Sequence, residues 1–130
     1  MSQKRALTWS LSELLAGFLL LVFLLYKVPP ITADGQTDLV VVGAFIVASM
    51  IMVSGVAALA LLGFHRRWPA MAGAHRGDPE PFVAIRQGML TGATAGTLAM
   101  LALARMLDIA FVIGIILIAG LAEAYLQSRR

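Results

Sequence analysis

Between Asp38 and His65 the chain runs 26 residues without a charged side chain. A helix of that length, at about 1.5 Å per residue, outspans the ~30 Å hydrocarbon core of a bilayer. Such a segment folds as a membrane helix that satisfies its own backbone. The rest of the chain agrees: 60% of the 130 residues are hydrophobic, 13% are charged, and mean hydropathy is +0.89. Soluble domains carry roughly a quarter charged residues. The sequence therefore predicts an all-α integral membrane protein, with residues 1–130 forming one transmembrane domain.

Punctuation divides it into four spans. Ser10 and Glu13 have capping-box spacing, with Trp9 and Leu14 placed as a staple, so the first span is expected over 11–28. Pro29 and Pro30 stop it. "ITADGQTD" is a polar turn, and Thr37 or Asp38 caps a second span over 38–64. Residues 65–82, rich in Pro, Gly and Arg, form the main loop. The apolar stretch beyond is too long for one crossing and is broken by charge at "ARMLDIA". A tight turn there gives spans over 83–105 and 108–126, with Arg105 closing one helix and Asp108 capping the next. Four antiparallel crossings make an up-down bundle.

Basic residues set the direction. Lys4, Arg5, Arg66, Arg67, Arg76, Arg86, Arg129 and Arg130 share one side, against Lys27 and Arg105 on the other. The excess marks the cytoplasmic side, so both termini are expected there. A bacterial inner (cytoplasmic) membrane fits the charge asymmetry and the compact loops. Signal-peptide cleavage after Ala33 is the rival arrangement. The long apolar run, Lys27, the two prolines and Ile31 argue against it, and cleavage would part the basic loop from the basic tail.

The third span holds "GMLTGATAGT". Gly88, Gly92 and Gly96 stand four apart and share one helix face. Each costs roughly 1 kcal/mol against Ala in a helix in water. In lipid, where apolar side chains gain little from one another, a glycine groove admits a second backbone. Thr91 and Thr94 flank it, to bond across the contact or back to their own helix. The groove is expected to pack within the chain, against small residues of span two or four, or else against a neighbouring subunit or a second copy.

The other candidates are charges. Arg86 and Glu123 fall at the same end of the last hairpin and are expected to pair as a boundary clasp. Arg66, Arg67, Trp68 and Arg76 are expected to meet lipid headgroups. His65 is expected to face solvent or headgroups, and Asp78 and Glu80 to be polar loop residues. With Glu13 read as a cap, no charge falls near the middle of any span, unlike most ion-coupled transporters.

There is no cysteine, no histidine in a span, no metal-ligand spacing, no nucleophile elbow and no phosphate loop. The expectation is a non-enzyme without cofactor or metal and without a nucleic-acid partner. Its partners would be lipids and other membrane subunits. The leading reading is a structural or accessory subunit of a larger membrane complex. The alternative is a small transporter or channel whose pathway forms between protomers.

Overall fold

The computed structural model of the chain describes residues 2–31, 34–72 and 80–129. It is all-helical: α1 (Gln3–Lys27), α2 (Leu39–Arg67), α3 (Pro81–Leu103) and α4 (Ile109–Ser128), with a short 3-10 turn at Pro69–Ala72. Helices α1, α2 and α4 are long and apolar enough to cross a membrane. Helix α3 does not reach that standard. It has 23 residues, but three glycines, three threonines, Arg86 and Gln87 dilute its apolar content. The features that suit it to close packing make it the least lipid-like of the four.

Several boundaries follow local chemistry. Helix α1 stops at Lys27, two residues short of Pro29. Asp38 caps α2, accepting from the backbone N–H groups of Val40 at 2.9 Å and Val41 at 3.2 Å. Asp108 caps α4 through the N–H of Ile109 at 2.6 Å. Pro81 opens α3, where its missing N–H costs nothing.

The start of α1 corrects the sequence reading. The helix begins at Gln3, not after Ser10, and its cap is Ser2, whose hydroxyl accepts from Arg5 N–H at 3.4 Å. Gln, Lys, Arg, Ala and Leu over 3–7 are good helix formers, so nothing breaks the helix before Ser10. The capping box goes unused. Ser10 is instead fully buried inside the helix, and Glu13 becomes its eleventh residue of 25.

Ala6, Ser10, Glu13 and Gly17 recur every three or four residues, Leu24 follows seven residues on, and the five form one stripe of α1. Its members other than Glu13 are buried. Ala6 meets Leu62 of α2 and Ala84 and Ile85 of α3 in the hydrophobic core. Below them α1 and α2 cross at a reciprocal notch. A Cβ on Gly17 would lie 2.5 Å from Met52 N, and one on Gly55 would lie 2.6 Å from Leu14 N.

The groove of α3 is filled by α2 of the same chain. A Cβ on Gly88 would lie 2.7 Å from Ser54 O, and one on Gly92 would lie 2.6 Å from Met50 O; Gly96 faces the Met50 side chain. Partners on α2 fall in number as those on α3 rise, so the two run antiparallel. The threonines do not bridge helices. Thr91, Thr94 and Thr97 each donate to the carbonyl four residues back, at 2.8, 2.8 and 2.9 Å.

Helix α4 stands outside this three-helix core and buries none of its residues. It joins α3 through a turn in which Met106 N–H bonds to Leu101 O at 2.9 Å and Arg105 N–H to Ala102 O at 3.0 Å. That pattern is a Schellman motif, and it puts Arg105 at φ +56°. A left-handed conformation costs an L-residue roughly 1–2 kcal/mol, which glycine avoids. Arg105→Gly should therefore stabilise the chain by about 1 kcal/mol. A melting temperature in mild detergent that falls would refute this.

Candidate functional site

The densest polar cluster lies where α2, α3 and α4 meet. Arg86 projects from the second turn of α3 and reaches Glu123, one turn short of the end of α4. Its Nε donates to Glu123 Oε2 at 3.0 Å and a terminal nitrogen donates to Oε1 at 2.6 Å. Gln87 Nε2 donates to the same Oε1 at 3.0 Å, and Gln127 Nε2 at 2.8 Å. Four donors thus converge on one carboxylate. Both charged side chains are only 15% exposed. The fork is the geometry that guanidinium and carboxylate favour, and its charge assistance strengthens every bond in it.

His65 extends the cluster into α2. Gln87 lies within hydrogen-bonding reach of it, and the charge of Glu123 acts on the ring. His65 is 3% exposed and its Nδ1 has no partner. The expectation of a solvated or headgroup-facing His65 is therefore corrected. It continues the buried face of Ala58 and Leu62, three and four residues apart, and that spacing was its sequence signal. Gln87 and Gln127 gave no comparable signal, because their roles depend on where Glu123 sits in space.

A second group of polar atoms lies within the core. Glu13 Oε2, Ser10 Oγ and Ser54 Oγ are all buried without a hydrogen-bond partner. Ser10 and Glu13 share the packing stripe of α1. Ser54 faces Gly88 and Gly92 across the α2–α3 contact. By the register of the Gly17 and Gly55 notch, Glu13 and Ser54 lie at nearly the same depth. Glu13 is eight residues from Arg5 and fourteen from Lys27, about 12 Å and 21 Å along the helix. Glu13 therefore lies inside a continuous helix and not at its start, because the helix begins eight residues earlier than expected.

The remaining candidates occupy the end of α2. Arg66 and Arg67 are exposed. Trp68 stacks on Phe64 with ring centroids 5.6 Å apart, and the Arg67 guanidinium lies 5.7 Å from the Trp68 ring. Arg76 lies outside the described residues, as do His75 and Asp78.

No family model, curated protein or solved structure matches the chain. Chemistry must then be judged from the side chains. Among the described residues no three His, Asp or Glu side chains gather to hold a metal ion. The Glu123 cluster joins three helices and leaves its carboxylate fully committed to donors. Between α3 and α4 lies an open cleft of about 370 Å³, walled by Leu61, Leu90, Thr94, Ile116 and Ala119, with Gln87 and Glu123 at its polar end.

Proposed function

We propose that the chain is a non-catalytic integral membrane protein of the bacterial inner membrane. It acts as a structural or accessory subunit of a larger membrane complex, with all four helices crossing and the basic ends in the cytoplasm. The observation that carries this reading is α4: a strongly apolar helix of 20 residues, none of them buried. Apolar surface alone would rest in lipid, but α4 also carries Gly114 and Gly120, with nothing within 4 Å of where a Cβ would stand. Small residues on a membrane helix are where another backbone approaches. The glycine stripe of α3 is already occupied by α2, whereas α4 offers a face open to a neighbour.

The test is native mass in mild detergent, with identification of stoichiometric partners. Larger unrelated subunits that are lost in Gly114→Leu or Gly120→Leu, with the free chain equally stable, support the reading. A pure homo-oligomer argues against it.

Glu13 favours a second reading, a small transporter with its pathway between protomers. Ionisable groups inside a bilayer are rare and commonly mark ion or substrate paths. Solute flux in liposomes that disappears in Glu13→Gln, while the fold persists, would put this reading first.

A further inference from the structure

The outer face of α1 carries a feature that neither packing nor the reading above uses. Lys4, Arg5, Thr8, Trp9 and Ser12 line a shallow groove, widely open, on the surface of α1. Positions 4, 8 and 12, and 5, 9 and 12, are three or four residues apart, so they form one continuous stripe. It points away from the buried stripe of Ala6, Ser10 and Gly17. All five residues are exposed, and Trp9 is 62% exposed. Among the described residues no acidic side chain pairs with Lys4 or Arg5. The Ala6–Leu62 contact brings this end of α1 beside the end of α2 that carries Arg66 and Arg67.

Below the two cations the groove changes character. Thr8 Oγ1 donates to Lys4 O at 2.9 Å and Ser12 Oγ donates to Thr8 O at 2.9 Å. Both hydroxyl protons are spent on the helix itself, leaving a floor with no free donor. Trp9 supplies an amphipathic wall of the kind that settles at headgroup level. A soluble anion would use the cationic rim and the Trp9 indole N–H, and would leave the apolar surface below them empty. An anionic phospholipid would use the whole groove.

We propose that this groove binds one anionic phospholipid, with its phosphate on Lys4 and Arg5 and its glycerol and upper acyl chains against Trp9, Thr8 and Ser12. Trp9 can report it directly. In Trp68→Phe protein Trp9 is the only tryptophan, and it can be quenched by brominated lipid in vesicles. Brominated phosphatidylglycerol should outcompete brominated phosphatidylcholine by about 30-fold, the equivalent of ~1 kcal/mol for each of two basic residues at an anionic surface. Lys4→Gln with Arg5→Gln should abolish the preference. Arg66→Gln with Arg67→Gln should leave most of it.

Equal quenching by the two lipids would overturn the site. So would a preference that survives loss of Lys4 and Arg5, or one lost equally with Arg66 and Arg67, which would be a diffuse surface field. Inorganic phosphate that blocks the response to phosphatidylglycerol would assign the rim to a soluble anion instead, and would also overturn it.

Discussion

Gly92→Ala should cost the chain about 2 kcal/mol or more, while Gly120→Ala should cost nothing. Each substitution adds one methyl group to a membrane helix and improves helix propensity by up to ~1 kcal/mol. What differs is the neighbour. At Gly92 the new Cβ would stand 2.6 Å from Met50 O and 3.2 Å from Ser54 N. Those atoms belong to the α2 backbone and cannot swing aside, so the helices must separate. Overpacking of this kind costs about 1–3 kcal/mol and sometimes more. Separation would also weaken the neighbouring contacts of Gly88 and Gly96. Gly96→Ala should be milder, because it meets the flexible Met50 side chain. Gly120 meets nothing within 4 Å. Melting followed by intrinsic fluorescence in mild detergent gives the ranking, and Gly92→Ala should lower the midpoint by several degrees. Equal midpoints for Gly92→Ala and Gly120→Ala would show that the α2–α3 glycine contact does not hold the bundle together.

The glycine stripe also shows where sequence reading stops. The spacing of Gly88, Gly92 and Gly96 announces a close contact, because four-residue spacing keeps them on one face whatever lies opposite. Its partner is not announced. Small residues recur on α2 at Gly43, Ala44, Ala48, Ser54, Gly55 and Ala58, and on α4 at Ala110 and Gly114. Only the tertiary arrangement selects Met50, Ser54 and Ala58. Signals that act within a few residues were legible: Pro29 and Pro30 as a stop, and Asp38 and Asp108 as caps. Ser10 and Glu13 show the converse. Their spacing matches a capping box, yet it equally suits a buried stripe with members three or four apart. Ser2 supplies the cap, residues 3–9 continue the helix, and the choice falls to packing. The error moved a carboxylate from a helix end to a helix interior. Gln87 was hidden for a similar reason. It is 22 residues from His65 and 36 from Glu123, and nothing local links the three.

Glu123→Leu should release α4 from the core. The substitution strands the Arg86 guanidinium at 15% exposure without an acceptor, and takes the shared acceptor from Gln87 and Gln127. Removing one member of a fully buried pair costs roughly 3–5 kcal/mol, most of it from the charge left behind, and this part-buried pair should lose somewhat less. Helix α4 has little to offset that loss, since it buries no residue and is otherwise held by the turn over 104–108. Replacing both members with apolar residues removes the stranded charge, so Arg86→Leu with Glu123→Leu should recover most of the loss. The absence of native cysteine makes this measurable without background. Thr94→Cys and Ile116→Cys put one thiol on each wall of the α3–α4 cleft, and a short bismaleimide joins them only while α4 stays in place. The yield should fall several-fold in Glu123→Leu and return in the double variant. Recovery would mean that the pair selects where α4 sits without adding much net stability, as a polar contact in an apolar setting can do. If single and double variants fall equally, the fork itself supplies the attraction. An unchanged yield in Glu123→Leu would mean that the turn alone positions α4, and the cluster would lose its role as a clasp.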